Sequence, residues 1–282
     1  MKVSAAAVHS ETYRGSAFMK QLARRILDRV LSGYGYKIVE ARPRPDPSVY
    51  DQDGMRTVHN HDFMKEPAFV RAYQRGVDAG DGVDNDLHWR IHVALWVAHC
   101  AAKLPGDFVE CGVNKGAVSS SIMQYLNWNA LGKSFYLLDT FAGMDRRYLT
   151  DEELRKGKWE FNQRVLDANG YELSIESRRK NFAEWNRVHL IQGAVPETLP
   201  QVDTGQVAYL HLDMNCAIPE LAACEYFWPK LVPGGMILFD DYAYAGYEPQ
   251  KATHDEFAAA RRVTVLSLPT GQGLIVKPAS ST

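Results

Sequence analysis

The second half of the chain alternates short apolar runs with helical stretches, and no other feature of the sequence limits the fold as strongly. From Gly106 onward, five such runs lie at 108–111, 135–138, 188–191, 207–212 and 236–239, mostly with helical segments between them. Short buried strands joined by helices form parallel sheets, because the crossover helices cover both faces. Two final runs, 263–268 and 274–276, flank a glycine-containing turn and predict a hairpin. The sequence therefore predicts an α/β, Rossmann-like domain whose mostly parallel sheet ends in an antiparallel hairpin.

The residues that precede this domain predict a helical N-terminal extension. Apolar residues recur at helical spacing from Phe18 to Leu31, a proline-rich connector covers residues 42–48, and further helices are expected over 63–104 with a break at 78–82. We assign residues 1–84 to this extension, as a lid or oligomerisation segment. Residues 85–282 form the α/β domain.

The composition of the chain indicates which classes of partner it does not favour. A formal net charge of −2 gives no overall field that would favour nucleic acid. There is no secretory signal and no apolar run of the roughly 20 residues that a membrane helix needs. The four cysteines form no CxxC pair, so we expect free thiols in a reducing compartment. These features predict a cytoplasmic protein without a membrane or nucleic-acid partner.

A glycine turn follows the first strand of the predicted sheet. Ligands of open α/β sheets bind at the carboxyl ends of the strands. Here Gly112 and Gly116 allow a tight turn, and the helix that starts near Ser119 directs its amides toward a ligand. The spacing is not the GxGxxG of a dinucleotide site. Glu110 would repel a pyrophosphate and suit a ligand with an ammonium group, so we predict that Glu110, Gly112, Val113, Gly116 and Ser119 bind such a cofactor.

The next two strands end in further candidate cofactor residues. Asp139 is placed to accept hydrogen bonds from ribose hydroxyls, although a turn cap is the alternative. Thr140 and Phe141 follow it, and Phe141 could pack on a purine. After the third strand, Gly193 and Ala194 could lie at the edge of the adenine, or Gly193 could be an ordinary turn glycine.

Three carboxylates end the fourth and fifth strands. Asp213, Asp240 and Asp241 would repel one another unless a cation or protons compensate, and hard oxygen ligands favour Mg²⁺. Asn215 could add a neutral oxygen. Such a metal lowers the pKa of a bound hydroxyl. Asp213 and His254 are the candidate bases, although the aspartates could instead cap helices and His254 could be a surface residue.

Four motifs in order resemble the macrocin O-methyltransferase family over roughly residues 85–277. They are Glu110–Gly116, Leu138–Phe141, Leu212–Asn215, and Pro233–Gly235 followed by Asp240–Tyr242. The resemblance implies a class I methyltransferase fold, S-adenosylmethionine as the methyl donor, Mg²⁺ on Asp213, Asp240 and Asp241, and a homodimer. It implies a sugar or glycosylated natural product as the acceptor. The family often has a second acid at position 215, where this chain has Asn215 followed by Cys-Ala-Ile-Pro.

Two other functions remain open from the sequence. One is a nicotinamide-dependent oxidoreductase on a similar sheet, which the glycine spacing and the Asp240–Asp241 pair disfavour. The other is a non-catalytic module that binds S-adenosylmethionine, which retention of three aspartates disfavours. The acceptor of the methyl group is a small-molecule hydroxyl of undetermined identity. Its pocket could be lined by aromatic residues, or these could be core: Trp228, Tyr242, Tyr244 and Tyr247.

Overall fold

The computed structural model describes residues 49–279. Its strands are β1 (Tyr50–Gln52), β2 (Met55–Thr57), β3 (Asp107–Cys111), β4 (Phe135–Asp139), β5 (Val188–Gln192), β6 (Val207–Leu212), β7 (Leu231–Phe239), β8 (Leu266–Ser267) and β9 (Gly273–Val276). Its α-helices are α1 (Pro67–Ala79), α2 (His88–Ala101), α3 (Ala117–Leu126), α4 (Asp151–Arg155), α5 (Lys158–Asp167), α6 (Ile175–Phe182), α7 (Ala217–Phe227) and α8 (Glu248–Ala260).

Seven strands form one sheet in the order β5-β4-β3-β6-β7-β9-β8. The first five pair in parallel, whereas β9 runs antiparallel to both β7 and β8. The prediction of a parallel sheet closed by an antiparallel hairpin is therefore confirmed. Two details differ: β7 begins at Leu231 rather than Met236 and has an irregular register with β6, and β8 is only two residues long. β1 and β2 form a separate hairpin.

The sheet lies between two helical layers, and alternate strand residues enter alternate layers. On one face, Phe108, Leu137 and Leu238 pack with apolar residues of α1, α2 and α3. On the other face, Val109 and Leu210 pack with apolar residues of α7 and α8. This parity also determines which polar residues near the strand ends can meet, because only residues of the same face are neighbours.

The helices predicted over 63–104 are present, and they are part of the sheet domain. α1 and α2 are separated near the expected break, and Phe69 and Ala72 of α1 are buried in the same core as Phe108. The compact unit that contains the sheet begins at Tyr50, not at residue 85. The predicted helix around Phe18–Leu31 and the connector 42–48 lie outside the described residues.

All four cysteines are free; Cys111, Cys216 and Cys224 are buried and Cys100 is half-buried. Within residues 49–279, no helix combines the length and the apolar character required to span a bilayer.

Candidate active site

A pocket lies at the carboxyl ends of β3, β4, β5 and β6. Six of the predicted site residues line it: Gly112, Asp139, Thr140, Gly193, Ala194 and Asp213. They come from four separate strand ends, which the parallel pairing of these strands brings to one edge. The strand-end rule therefore located the pocket from the sequence.

The glycine turn is shaped by a close approach between two strand ends. Gly112 has φ +91°, and a Cβ at this position would lie 1.9 Å from the carbonyl oxygen of Asp213. No side chain fits there. The turn therefore packs directly on the backbone that follows β6, and this contact keeps the cofactor end of the pocket next to Asp213.

The carboxylate of Asp139 holds the same turn from the other side. Its Oδ2 accepts hydrogen bonds from the backbone amides of Val113 and Asn114, both at 2.8 Å. Its Oδ1 accepts one from the amide of Phe141 at 2.7 Å. Asp139 is thus a turn cap, the alternative to ribose binding, and it lines the pocket as well. Thr140 Oγ1 lies 3.5 Å from Oδ1 but only 2.6 Å from the Gly143 carbonyl oxygen, which is the better acceptor for its single proton. Of the about four lone-pair sites of the carboxylate, one on Oδ1 therefore remains for a ligand hydroxyl.

Besides Glu110, four of the predicted cofactor residues do not line the pocket. Val113 and Phe141 have buried side chains and contribute only the amides that bind Asp139. Gly116 begins α3 with φ +81°, and a Cβ there would lie 2.4 Å from the ring of Phe182, so this glycine serves packing. Ser119 is fully buried within α3.

Glu110 is buried and does not line the pocket, so its contact with a ligand ammonium group stays a prediction. β3 and β6 pair with Glu110 directly opposite His211. Glu110 Oε1 lies 3.0 Å from His211 Nδ1, and both side chains are buried. On the far side, His211 Nε2 lies 3.6 Å from Asp240 Oδ1. Burial alone would lower the pKa of His211, but the carboxylates of Asp240 and Glu110 outweigh it and raise the pKa to about 10.

The predicted metal ligands Asp213, Asp240 and Asp241 lie near one another and form what we call the aspartate corner. Arg90 of α2 enters this corner: its guanidinium hydrogen-bonds Asp240 Oδ2 and lies 3.5 Å from Asp241 Oδ1. Gln272 Nε2 donates to Asp240 Oδ1 at 3.0 Å. Burial works against ionisation of Asp240, but Arg90 and His211 hold its pKa well below the usual range.

The other two carboxylates of the corner are poorly compensated. Burial and then repulsion from Asp240 raise the pKa of Asp241 to about 7. Burial and then the carboxylates of Asp240 and Asp241 raise the pKa of Asp213 well above its ordinary value. Arg90 therefore compensates Asp240 most, and ionisation of Asp213 and Asp241 is disfavoured unless a further cation joins them.

The corner offers the donor chemistry of a divalent cation site. Hard carboxylate oxygens suit Mg²⁺, which would favour the ionised form of these side chains. Within residues 49–279, however, no three acidic, histidine or cysteine side chains already converge on a common point as metal ligands. The carboxylate oxygens of the corner are of the type that Mg²⁺ prefers, but binding of Mg²⁺ stays a prediction.

The structure does not place His254 where a base could reach an acceptor. His254 lies within α8 and is completely buried, not at the surface. Its ring stacks on Phe239 with 4.0 Å between centroids, and its Nε2 lies 3.0 Å from Glu220 Oε2. Glu220 in turn accepts hydrogen bonds from the backbone amide of Met214 and from Gln250. We therefore do not retain His254 as a candidate base.

The connection between β4 and α6 forms a wall of the pocket that the sequence did not reveal. It supplies Gly143, Met144, Asp145, Tyr148, Tyr171 and Glu172. Asn114 of the glycine turn is bonded to this wall, because its Oδ1 accepts the amide of Glu172 at 2.8 Å. Residues in irregular connections such as this one have no helical or strand periodicity. Their place in the pocket becomes visible only when the fold brings distant parts of the sequence together.

Asn215 and Tyr247 meet beside the aspartate corner. The Tyr247 hydroxyl donates to Asn215 Oδ1 at 2.8 Å, and Asn215 Nδ2 lies 3.3 Å from Asp213 Oδ1. The ammonium of Lys158 lies 3.3 Å from the centroid of the Tyr247 ring, and burial lowers the pKa of this lysine. Tyr247 is therefore near the site as predicted, whereas Trp228 and Tyr242 pack with the core formed by α7 and α8. Tyr244 stacks on Arg90.

Comparison with known proteins identifies relatives among O-methyltransferases. The model of the macrocin O-methyltransferase family matches residues 93–266, more than half of the chain. A tetracenomycin rhamnosyl 4′-O-methyltransferase from Streptomyces olivaceus is 29% identical over 150 residues, which cover 50% of this chain and 54% of that protein. The match thus spans about half the length of this relative. Mycinamicin III 3″-O-methyltransferase from Micromonospora griseorubida is 22% identical, with 65% of this chain and 75% of that protein covered.

Two crystal structures share the fold. The O-methyltransferase NovP superposes with a TM-score of 0.56 at 19% identity, covering 67% of this chain and 80% of NovP. The calicheamicin methyltransferase CalS11 superposes with a TM-score of 0.51 at 16% identity, covering 78% of this chain and 94% of CalS11. At these identities the comparison establishes a Rossmann-like methyltransferase fold.

Proposed function

This chain belongs to the macrocin O-methyltransferase family, and we propose that it transfers a methyl group from S-adenosylmethionine to a hydroxyl of a sugar or a glycosylated small molecule. The observation that carries the proposal is the continuity of the pocket. One cavity runs from Asp139 and Gly193 past Gly112 to Asp213 and Asn215. A nucleoside at one end would therefore have its reactive group next to a carboxylate at the other.

The cofactor end suits the nucleoside of S-adenosylmethionine. The free direction on Asp139 Oδ1 can accept a hydrogen bond from a ribose hydroxyl, and Gly193 and Ala194 offer a flat backbone edge to the adenine. The glycine turn does not offer the amides of Val113 and Asn114 to a pyrophosphate, because both already donate to Asp139. This arrangement favours the sulfonium cofactor over a nicotinamide dinucleotide.

The acceptor end suits proton removal by Asp213. When bound, S-adenosylmethionine supplies a methyl group on a positively charged sulfur. Asp213 would accept the proton of the acceptor hydroxyl while that oxygen takes the methyl group and S-adenosylhomocysteine leaves as a neutral thioether. The raised pKa of Asp213 makes its carboxylate a stronger base than an ordinary aspartate. The geometry that supports this role is the position of Asp213 in the pocket wall, beside Asn215.

The polar and aromatic residues around Asp213 match a sugar. Tyr148 and Tyr171 line the same cavity, and aromatic faces pack well on the apolar side of a pyranose. Asn215 offers an amide for a second hydroxyl. The names of the two curated relatives describe methylation on a rhamnosyl group and on mycinamicin III, and both agree with this substrate class.

We extend the proposal to Mg²⁺ on the aspartate corner. Asp213, Asp240 and Asp241 would hold it, and the ion would stabilise the negative charge that develops on the acceptor oxygen. The raised pKa values of Asp213 and Asp241 support this assignment, because a bound cation would relieve the repulsion that disfavours their ionisation. A homodimer and a cytoplasmic location are also part of the proposal, and both remain predictions.

Transfer of a labelled methyl group to a panel of acceptors tests the proposed function. The panel contains a rhamnosylated aromatic polyketide, a glycosylated macrolide, their aglycones and a catechol. We expect label only on the glycosylated compounds, with S-adenosylhomocysteine formed in equal amount. Label on the catechol alone would contradict the substrate class. Tight NAD(H) binding without S-adenosylmethionine binding would favour an oxidoreductase, and cofactor binding with no transfer to any acceptor would favour a non-catalytic module.

A further inference from the structure

Arg90 is a buried cation that contacts carboxylates from two parts of the chain. It extends from α2 with about 8% of its surface exposed. Besides Asp240 and Asp241, it contacts Asp53, whose Oδ2 lies 3.1 Å from Arg90 Nε. The flat guanidinium also stacks on Tyr244, with 4.7 Å from Arg90 Cζ to the ring centroid. Nε and Nη1 of the guanidinium therefore both face carboxylates.

The β1–β2 hairpin holds Arg90 from the side opposite the aspartate corner. Asp53 lies at the hairpin turn, and its Oδ1 accepts a hydrogen bond from the Tyr244 hydroxyl. The neighbouring Gln52 is bonded to Asp86 at 3.0 Å and to His88 at 2.9 Å, just before and at the start of α2. The hairpin, α2 and the loop after β7 thus fix the guanidinium beside Asp240. An arginine held this way is a permanent charge, because its guanidinium does not deprotonate in proteins.

We propose that Arg90 is the resident counter-cation of the aspartate corner and that it limits the affinity of this corner for a divalent cation. The inference rests on the proposed function only in assigning the corner as the metal site. A fixed positive charge next to Asp240 and Asp241 repels an incoming cation and occupies an oxygen of Asp240 that would otherwise be free. Removal of this charge should therefore strengthen metal binding. An arginine whose main effect was to orient the carboxylates would have the opposite effect, because its removal would weaken metal binding.

The experiment measures Mn²⁺ binding by electron paramagnetic resonance and Mg²⁺ binding by calorimetry, on the full chain without cofactor. Arg90→Met removes the charge and keeps a long apolar side chain. Arg75→Met is the matched control, because Arg75 also pairs with one carboxylate, Glu184, and stacks at 4.7 Å on an aromatic ring, Trp185, on a different surface. We expect Arg90→Met to bind Mn²⁺ at least about tenfold more tightly than wild type and Arg75→Met to be unchanged. An unchanged or weaker affinity of Arg90→Met would overturn the proposal.

Two further variants keep the test decisive. In Arg90→Met/Asp241→Asn the gain should disappear, and a gain that persists would place the new binding outside the corner and overturn the proposal. Arg90→Lys keeps the charge and should bind Mn²⁺ within about threefold of wild type, whereas a gain as large as that of Arg90→Met would refute a charge effect. If Arg90→Met does not fold in the absence of metal, it is refolded in MgCl₂ and, separately, in NaCl of equal ionic strength. Recovery of the folded protein only with Mg²⁺ supports the proposal, whereas failure to fold in both salts counts against it. S-adenosylmethionine affinity of wild type, measured in parallel, tests the proposed function independently.

Discussion

The α carbon of Gly112 faces the backbone of Asp213 so closely that a Cβ at position 112 would lie 1.9 Å from the Asp213 carbonyl oxygen. One residue belongs to the cofactor end of the pocket and the other is the candidate base. Their contact is a backbone contact, so it cannot be relaxed by rotating a side chain. The distance between the two halves of the candidate site is therefore fixed by packing rather than by a flexible loop.

This contact predicts that Gly112→Ala disrupts both folding and the site. The methyl group meets backbone atoms, and the residue has φ +91°, so we expect a loss of about 3 kcal/mol or more in the free energy of unfolding. Gly132→Ala is the control, because Gly132 also has a positive φ, +68°, but a Cβ at this position would have no neighbouring atom within 4 Å. It should lose only about 1 kcal/mol from backbone strain. Urea unfolding measures the free energy of unfolding of both variants. Equal losses would show that the backbone moves to relieve the clash between the new methyl group and Asp213.

Because Asp139 both holds the glycine turn and lines the pocket, its substitution should affect stability and cofactor affinity together. Asp139→Asn places an amide NH₂ or a neutral oxygen against the amides of Val113 and Asn114, so we expect a loss of about 2 kcal/mol in stability. We also expect S-adenosylmethionine to bind at least about tenfold more weakly. Asp203→Asn, which changes an exposed acid, is the control for charge. Thermal unfolding and calorimetry measure the two effects; reduced affinity with full stability would mean that Asp139 is a ribose ligand and not a structural cap.

The strands of this fold were predictable because each is a short apolar run with a clear end. The run 108–111 became β3, Asp107–Cys111, and the run 135–138 became β4, Phe135–Asp139. The hairpin arm expected over 263–268 shortened to Leu266–Ser267, since these residues are exposed at the sheet edge and burial does not fix their pairing. Local pattern thus locates buried strands better than edge strands.

The candidate site was predictable only where one strand end supplies a residue on its own. Asp139 and Asp213 follow directly from the strand-end rule. The pairing of Glu110 with His211 was not predicted, because it depends on β3 and β6 being neighbours in the sheet, which no local pattern reveals. Arg90 was missed because it enters from a helix 150 residues before Asp240, and no local spacing connects the two.

The pKa of Asp241 predicts an unusual dependence of stability on pH. Burial and the carboxylate of Asp240 raise this pKa from 3.8 to about 7 in the folded protein. The folded state therefore binds more protons than the unfolded state between these values, and stability falls as pH rises from about 4 to about 7. Asp241→Asn carries no charge, so without divalent cations it should exceed wild type at pH 8 by up to about 4 kcal/mol, at roughly 1.36 kcal/mol per pKa unit.

Urea unfolding in EDTA at about pH 5 and pH 8 measures this dependence. Asp203→Asn should follow the wild-type curve at both values, because Asp203 is exposed. The stability of Asp241→Asn could instead change with pH as that of wild type does. The Asp241 carboxylate would then be ionised in the folded state at both pH values, and nearby positive charge would stabilise it more than the geometry of the corner indicates.

The last prediction separates the two bases that the sequence suggested. Asp213 lines the pocket, whereas His254 is buried between Phe239 and Glu220. Asp213→Asn should therefore lower kcat by at least about 100-fold, as expected for loss of a general base, while S-adenosylmethionine affinity stays within a few-fold. His254→Gln should lose about 1–3 kcal/mol of stability from a disturbed buried pair and keep the wild-type dependence of kcat on pH. Steady-state kinetics from about pH 6 to pH 9, below the unfolding temperature of each variant, distinguish them; a flattened pH profile in His254→Gln with Asp213→Asn still active would return the role of base to the histidine.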